Sequence, residues 1–357
     1  MKIFWGGIHQ DIIEASGPMF WGWLLFSLLV GIVYYKVKYP RSSLKAALQF
    51  VVPARTYLSK SAFQDLFIYI NNIYLVTAIA WWTGMVQFSS AKDSTETWLA
   101  NHFGFSSAPV ASNLTVNILY SIGNIVAFDV AWFLSHWAFH KIPVLWAFHK
   151  VHHSATQLNP MTRSRFHILE NVPLYTLLGI AAASNAYVFK ALGYHPSLVT
   201  VMNGFPLFMI VFSMFGILRH TEVPISFGPL DYIFSSPVLH QIHHSCKPEH
   251  IDKNYAMNLS VLDWMIGALV LPEKNSAPLK FGLSEKQEDV NIFQLYFTRP
   301  FTDLWGYLRR GEIFQHAANA DHSATAPADR THAGVADKPS ELETSLESRE
   351  FQLPSRA

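Results

Sequence analysis

The chain has 357 residues, of which half are hydrophobic and only 14% are charged, and its formal net charge is +1. It is too apolar for an ordinary soluble domain and too often interrupted by polar blocks to lie wholly in lipid, so we expect a membrane protein with a sizeable aqueous part. No basic stripe dominates any segment, which argues against a nucleic-acid partner, and the single cysteine, Cys246, excludes intrachain disulfides and thiolate metal sites.

Several apolar windows are long enough to cross a bilayer, which takes about 20 helical residues. They are residues 19–35, 67–86, 114–134, 172–189 and 197–218. Only the third window carries a charged residue, Asp129. Because the last two windows could instead form one re-entrant hairpin, the sequence predicts four or five membrane spans.

Basic residues predict the orientation of these spans. The loop 87–113, after the second window, contains one Lys or Arg, Lys92. The connection after the first window is much more basic, with Lys36, Lys38, Arg41, Lys45, Arg55 and Lys60. The positive-inside rule then places the first connection in the cytoplasm, together with residues 135–171 and everything from Arg219 onward.

Histidines are concentrated in two segments on this predicted cytoplasmic side. His136 and His140 are four residues apart, and two further sets share the spacing i, i+3, i+4. These two sets are His149, His152 and His153, and His240, His243 and His244. On a helix each set projects from one face. Pro143 is expected to end the first helix, so that the second set turns back towards the first.

A lone histidine near a membrane is more often an interfacial residue than a ligand, but eight at these spacings favour a metal site. One zinc ion would use four of them, so the number suits two first-row metal ions, and imidazole binds iron, zinc, copper and nickel alike. A haem-binding electron carrier and a metal transporter remain alternatives, although both would place their histidines within the spans. A zinc hydrolase would need a general base, and the sequence has no H-E-x-x-H motif.

The motifs HWAFH, HKVHH and HQIHH resemble the three histidine boxes of the fatty acid hydroxylase / sterol desaturase superfamily, which are membrane-bound non-haem di-iron oxygenases. The resemblance covers about residues 115–275 and includes RFHILE and NYAMNLSVLDWMIGALVLP. It implies an all-α, multi-pass membrane fold in which a cytoplasmic, helical, histidine-rich cap holds a two-metal site. His220 matches an additional family histidine that precedes the third box. The implied metal ligands are His136, His140, His149, His152, His153, His220, His240, His243 and His244. For His167 and His250, ligation and a supporting role both remain open.

The resemblance also implies the reaction. The expected enzyme is an oxidoreductase that holds two non-haem iron ions and uses O2 as cosubstrate to hydroxylate or desaturate a C–H bond of a lipid. Its electrons would come from a separate donor, a b-type cytochrome or a ferredoxin with its reductase, because the chain has no HPGG-type haem motif. A fatty acyl chain, sterol, carotenoid or ether lipid would fit as substrate. The bacterial inner membrane and the endoplasmic reticulum would both fit the topology.

Composition and resemblance together predict four segments. Residues 1–113 would contain the N-terminal membrane helices and their connecting loops, and residues 114–290 the catalytic domain. Residues 291–310 would be an amphipathic C-terminal segment, and residues 311–357, rich in Ala, Asp, Ser, Thr, Glu and Pro, a disordered tail.

Metal-bound histidines usually donate their second ring N–H to a carboxylate, a carbonyl or water. Asp129 lies seven residues before His136 and is expected to orient that ring or a neighbouring one. Further carboxylates that could do so are Glu170, Glu222, Asp231, Asp252 and Asp263. Arg163 and Arg165, just before a span, could face lipid headgroups.

Overall fold

The computed structural model describes residues 21–75, 81–105, 110–201, 205–206, 216–273, 278–283 and 291–312. This part of the chain is helical, as predicted, apart from one short antiparallel pair of strands, β1 (Thr200–Val201) and β2 (Phe205–Pro206). The predicted tail from 313 onward lies outside the described residues, as do parts of the first, second and fifth apolar windows.

The α-helices of the N-terminal half are α1 (Trp21–Lys38), α2 (Leu44–Val51), α3 (Ala54–Tyr57), α4 (Lys60–Leu75), α5 (Trp81–Phe103) and α6 (Leu114–Lys141). Those of the C-terminal half are α7 (Pro143–His153), α8 (Asn171–Ala191), α9 (Pro237–His243), α10 (Val261–Met265) and α11 (Arg299–Arg310). Short 3₁₀ turns connect several of them, and a π-helical turn, Gln294–Thr298, leads into α11.

Two helical segments in the described part of the chain are long and apolar enough to cross a membrane. One is α6, with 28 residues, and the other is the 24-residue segment Ile168–Ala191, which includes α8. At about 1.5 Å of rise per residue, both exceed the roughly 30 Å thickness of a bilayer core. They coincide with the third and fourth apolar windows of the sequence.

The prediction of a loop at 87–113 is wrong for residues 87–103, because α5 continues as a helix to Phe103. The polar residues of this stretch are retained in a helix that packs against α8. The close approach depends on Gly179, where an added Cβ would lie 2.5 Å from the carbonyl oxygen of Phe88. An ion pair between Lys190 and Glu96 joins the same two helices near their ends.

The chain turns back on itself at the end of α6, as Pro143 predicts. α6 ends at Lys141, and α7 begins at Pro143, where the missing N–H of proline removes no helical hydrogen bond. The two helices therefore meet at an angle, and the ring centroids of His140 and His149 lie 5.0 Å apart. This turn brings the first two histidine sets together.

The last helix described, α11, covers the outer face of α7. Tyr307 is buried against Phe148, and the ring of Phe301 lies edge-on to that of Phe148 with their centroids 5.6 Å apart. Lys150 forms a buried ion pair with Asp303 across the same contact. The C-terminal segment thus packs over the helix that carries the second histidine set.

Candidate metal centre

The side chains of nine histidines form two compact groups inside the described part of the chain. One group, the five-histidine group, contains His136, His140, His149, His153 and His243. The other, the four-histidine group, contains His152, His220, His240 and His244. Within each group every residue offers one ring nitrogen, and these nitrogens lie within 4.8 Å of one another. The nine histidines are the ones that the sequence predicts as ligands.

Two histidine pairs that are adjacent in sequence are divided between the groups. Consecutive residues on a helix point about 100° apart, so His152 and His153 at the end of α7 face in different directions. His243 and His244, at the end of α9, do the same. The ring centroids of His153 and His243 are 4.7 Å apart in one group, and those of His152 and His244 are 4.5 Å apart in the other.

His220 reaches the four-histidine group from a turn rather than from the helix of the third box. Its backbone N–H bonds to the carbonyl of Ile217, and its ring extends towards α9. Its Nε2 lies 3.1 Å from Nε2 of His240 and 3.4 Å from Nε2 of His152. The separation of twenty residues along the chain is therefore closed by the fold.

The nitrogen atoms at the centre of each group suit metal ions. In the five-histidine group, Nε2 of His140, His149, His153 and His243 is buried without a hydrogen-bond partner in the described structure. An unsatisfied buried polar atom costs about 1–3 kcal/mol, so four together call for a ligand. In the other group the Nε2 atoms approach to 3.1–3.4 Å. Four nitrogens placed tetrahedrally at 2.0–2.1 Å around one ion would be about 3.4 Å apart.

Several rings have their outer nitrogen fixed by an acceptor. The five contacts are His136 Nδ1 to Tyr255 O at 2.6 Å, His149 Nδ1 to Glu170 Oε2 at 2.6 Å, His243 Nδ1 to Lys253 O at 2.7 Å, His152 Nδ1 to Arg165 O at 3.2 Å and His220 Nδ1 to Gly216 O at 3.3 Å. A carbonyl or carboxylate can only accept, so each of these Nδ1 atoms carries the proton. The lone pair of each ring is then on Nε2, which faces the centre of its group.

Burial keeps the rings outside the candidate spans in their uncharged form. Burial, with a smaller contribution from neighbouring His136, lowers the pKa of His152 to about 3. Burial is also the main reason why the pKa of His153 and that of His244 lie well below the usual range. Neutral imidazole is the form that binds metal, so these rings are ready to ligate at pH 7.

Two of the predicted carboxylates contact the histidines. Glu170 accepts from His149, and its other oxygen accepts from the backbone N–H of His167 at 2.7 Å. Asp252 lies 3.6 Å from Nδ1 of His140 and forms a 2.6 Å ion pair with Lys141. The others are engaged elsewhere: Glu222 with Arg55 and Thr56, Asp231 with Ser226 and Phe227, and Asp263 with Tyr255 and Ala256.

The predicted role of Asp129 in orienting His136 is wrong. Asp129 accepts instead from the backbone N–H groups of Asn258 and Leu259, at 3.0 and 2.6 Å, and from the amide of Asn258. Seven residues of helix separate Asp129 from His136 by about 10 Å, which is beyond the reach of a short carboxylate. The acceptor for His136 is the backbone carbonyl of Tyr255, which residue types in the sequence do not reveal.

His167 and His250 belong to neither group. His167 Nδ1 accepts from the N–H of Leu169, and its ring packs against Phe148 and Tyr296. His250 ends a short 3₁₀ turn, Pro248–His250. The predicted headgroup contact of Arg165 is also wrong, because its side chain is fully buried.

Comparison with known proteins agrees with this geometry. Residues 121–268 match the family described as fatty acid hydroxylase. This part of the chain is similar to a fatty acid hydroxylase domain. All nine clustered histidines lie within residues 121–268, so both groups fall wholly inside the match.

Three curated relatives show how far the similarity extends. The chain is 32% identical over 184 residues to an ornithine lipid hydroxylase of Rhizobium tropici, which is 51% of this chain and 50% of that protein. It is 30% identical over 170 residues to an alkylglycerol monooxygenase of Xenopus tropicalis, and this match covers 48% of this chain and 34% of that protein. It is 27% identical over 241 residues to the human alkylglycerol monooxygenase, and this match covers 67% of this chain and 44% of that protein. The matched part of the chain thus spans half or less of these relatives. No solved structure matches the chain significantly.

Replacing Glu170 with glutamine is expected to weaken metal binding by the five-histidine group about 10- to 100-fold. The glutamine oxygen can still accept from the N–H of His167, and the NH₂ group then faces His149 Nδ1. His149 would have to move its proton to Nε2, which removes the lone pair that faces the group. Titration of the metal-free protein with Fe(II) against a competing chelator would measure the change.

The matched control is Glu222→Gln, because Glu222 is hydrogen-bonded to Arg55 and Thr56 and touches none of the nine histidines. It should bind Fe(II) like the unmodified protein. Equal affinities for the Glu170 and Glu222 variants would contradict the role given to Glu170.

Proposed function

We propose that the chain is a membrane-bound, non-haem di-iron oxidoreductase that uses O2 and an external electron donor to hydroxylate or desaturate a C–H bond of a lipid. Residues 114–290 would form the catalytic domain. The nine clustered histidines would be the metal ligands, five for one iron and four for the other.

The observation that carries this proposal is the division of nine buried imidazoles into two groups inside the part of the chain that is similar to a fatty acid hydroxylase domain. The donors are nitrogens without a thiolate among them, which suits first-row ions such as iron. The family and the named activities of the relatives, a hydroxylase and a monooxygenase, favour iron over zinc, copper and nickel. Two groups of this size at one site favour a pair of ions over one ion.

The chemistry that a reduced iron pair supplies is the activation of O2 for attack on an unactivated C–H bond. The protein residues have three tasks. Acceptors on Nδ1 hold rings such as His149 and His243 in the ligating tautomer. Burial of all nine rings excludes bulk water from the site, which protects the reaction from side processes. The surrounding surface must then position the lipid carbon that reacts.

The proposed substrate class is the hydrocarbon chain of a polar membrane lipid. The relatives are named for an ornithine lipid and for alkylglycerols, which are names of lipids. A membrane-bound enzyme would meet such chains without extracting them into water. Hydroxylation and desaturation differ only in the fate of the second hydrogen, and the relatives' names favour hydroxylation.

The proposed topology has four or five spans with the metal centre on the cytoplasmic side of a bacterial inner membrane or the endoplasmic reticulum. The apolar segments Leu114–Lys141 and Ile168–Ala191 support a membrane location. The basic connection between the first two apolar windows supports the orientation. The two electrons would then come from a cytoplasmic b-type cytochrome or a ferredoxin with its reductase.

Elemental analysis of the detergent-purified protein tests the metal site directly. We expect about two irons per chain, and their loss when His152, His153, His243 and His244 are all replaced with alanine. His102→Ala is the matched control, because His102 is an exposed histidine on α5. Haem absorbance, or a folded protein that cannot be loaded with iron, would refute the di-iron proposal.

Lipid analysis of cells that express the same variants tests the activity. We expect lipids that carry one additional oxygen, or one additional double bond, only with the unmodified protein and the His102→Ala control. An unchanged lipid profile from an iron-loaded enzyme with a working electron donor would refute the proposed reaction.

A further inference from the structure

Large apolar side chains are exposed on two short segments that belong to neither of the two candidate membrane helices. One segment comprises the 3₁₀ turn Gly228–Tyr232 and the two residues after it, and the other is the end of α10 with the residue that caps it. We call the exposed side chains the apolar lip: Leu230, Tyr232, Ile233, Phe234, Trp264, Met265 and Ile266. Their exposed fractions lie between 46% and 71%. In water, a patch of this size on a monomer would be unfavourable.

Backbone hydrogen bonds join the two segments of the lip into one unit. The N–H of Val261 donates to the carbonyl of Ile233, and the hydroxyl of Ser260 donates to the carbonyl of Asp231 at 2.7 Å. The N–H of Ser235 donates to the carbonyl of Asn258, also at 2.7 Å. The lip is therefore a fixed surface and not two independent loops.

This unit is anchored to the middle of α6, well away from its histidine end. Asp129 accepts from the backbone of Asn258 and Leu259 and lies twelve residues before Lys141, which is about 18 Å along the helix. Phe133, which lies on α6 between Asp129 and Lys141, packs edge-on against Tyr255. The segment that carries the lip thus runs along α6 from the metal centre towards the interior of the apolar helix.

The lip also continues the exposed apolar side of α6. Leu134 and Trp137 are exposed on that helix, by 47% and 39%. A cavity of about 410 Å³ lies between them and Ile266, and its lining also includes the charged residues Lys141, Asp252 and Lys253. Tyr255 also lines the cavity, and its ring centroid is 5.2 Å from that of His140, so one residue of the cavity wall packs against the five-histidine group.

Charge is absent from the exposed surface of these segments. Between Val223 and Cys246 the only Asp, Glu, Lys or Arg is Asp231, and between Asn254 and residue 272 it is Asp263. Both are only 1% exposed, and both accept from loop N–H groups: Asp231 from Phe227, and Asp263 from Tyr255 and Ala256. Irregular backbone at membrane depth is tolerated where the protein itself satisfies its polar groups. The buried carboxylates do this here.

We propose that the apolar lip is inserted into the hydrocarbon layer of the bilayer that borders α6. The inference rests on the proposed function insofar as α6 must cross a membrane. It changes the topology in one respect: the segment after Arg219 would not lie wholly in the cytoplasm but would return into one leaflet beside α6. The cavity next to the lip would then open to lipid chains rather than to water.

Cysteines introduced one at a time into the full-length protein, which keeps Cys246 and is reconstituted in phosphatidylcholine vesicles, test this placement. The variants are Met265→Cys and Phe234→Cys in the lip and Glu249→Cys as the aqueous control, since the side chain of Glu249 is 62% exposed. The unmodified protein, with Cys246 alone, is the blank. Apolar surroundings raise the pKa of a thiol, and each pKa unit of this increase lowers the thiolate fraction about tenfold. Alkylation of the lip cysteines by a membrane-impermeant maleimide should therefore be at least about tenfold slower than that of the control.

Bimane attached to the same cysteines provides a second readout. Phospholipids with a nitroxide on the acyl chain should quench bimane at position 265 or 234 and leave bimane at position 249 bright. Equal alkylation rates and no quenching in the lip would overturn the proposal. A crosslink between two Met265→Cys copies without quenching by the lipid nitroxide would also overturn it, because it would assign the lip to a contact between chains.

Leu119→Cys separates this inference from the proposed function. Leu119 is 54% exposed in the apolar part of α6. If it is protected and quenched while the lip cysteines are not, α6 crosses the bilayer and only the lip inference fails. If Leu119→Cys is alkylated as fast as Glu249→Cys, the membrane placement in the proposed function fails as well.

Discussion

Replacing His244 with alanine is expected to remove metal from the four-histidine group and to leave the five-histidine group loaded. The group would retain only His152, His220 and His240. Loss of a partner behind a metal ligand already costs about 10- to 100-fold in metal affinity, so loss of the ligand itself should exceed this. Iron content should fall from about two to about one per chain, with loss of lipid oxidation.

His243→Ala is the matched variant, because His243 is the adjacent residue and belongs to the other group. It should also lower the iron content, but through the five-histidine group, whose remaining four rings could still hold an ion more weakly. Mössbauer spectra of the two variants should therefore show different surviving iron sites. Identical spectra, or loss of both irons from either variant, would show that the nine histidines form one unit.

Spacing in the sequence predicts eight of the nine histidines that converge, whereas the ninth, His220, is implied only by the family resemblance. Residues three and four apart share a helix face, so HWAFH, HKVHH and HQIHH each present a set of rings, and Pro143 predicts the turn between the first two. How adjacent histidines divide between two groups depends on the angle between α7 and α9. Residue spacing within either helix contains no information on that angle.

The residues that support the metal centre are the ones that sequence predicts least well. His136, His152 and His243 donate to backbone carbonyls, which every residue possesses, so no side-chain type marks the acceptor. Glu170 could be proposed as an acceptor, but only as one of several carboxylates. Asp129 lies two helical turns before His136, which suggested a contact between them. Residues seven apart on a helix are about 10 Å apart, however, and Asp129 binds the backbone at Asn258 instead.

Hydrophobicity predicts the two helices that are long and apolar enough to cross a membrane better than it predicts where helices end. The windows at 114–134 and 172–189 lie within the two apolar segments of the structure. The polar residues of α5 were expected in a loop, and only contact with α8 explains why they are helical. Gly179 allows this contact because the backbone of Phe88 lies directly opposite it, and the sequence alone does not reveal that neighbour.

Replacing Asp65 with alanine is expected to destabilise the fold by about 3–5 kcal/mol, because it leaves the charge of Arg165 buried without its partner. Both side chains have no exposed surface, and Asp65 Oδ1 accepts from Arg165 Nη1 at 2.7 Å. The pair is one hundred residues apart in sequence and joins α4 to the segment after α7. Thermal unfolding of the purified protein, followed by circular dichroism, would measure the loss.

The exposed pair Arg55–Glu222 provides the control, since the Arg55 side chain is 77% exposed. Arg55→Ala should change the stability by no more than about 1 kcal/mol. The double variant Asp65→Leu with Arg165→Met should recover part of the loss, because it removes both charges. An Asp65→Ala protein as stable as the Arg55→Ala protein would contradict a structural role for the pair.

The same pair should also affect metal binding, and in only one of the two groups. The carbonyl of Arg165 accepts from His152 Nδ1, while the guanidinium donates to Asp65 and to the carbonyl of Val151. Once Asp65 is lost, only the contacts of the guanidinium with Ser61 and Gln64 still tie Arg165 to α4, so its carbonyl is held less firmly and the tautomer of His152 is less well defined. Fe(II) affinity should therefore fall in the four-histidine group and stay unchanged in the five-histidine group. Equal losses in both groups would reduce the pair to a general packing role.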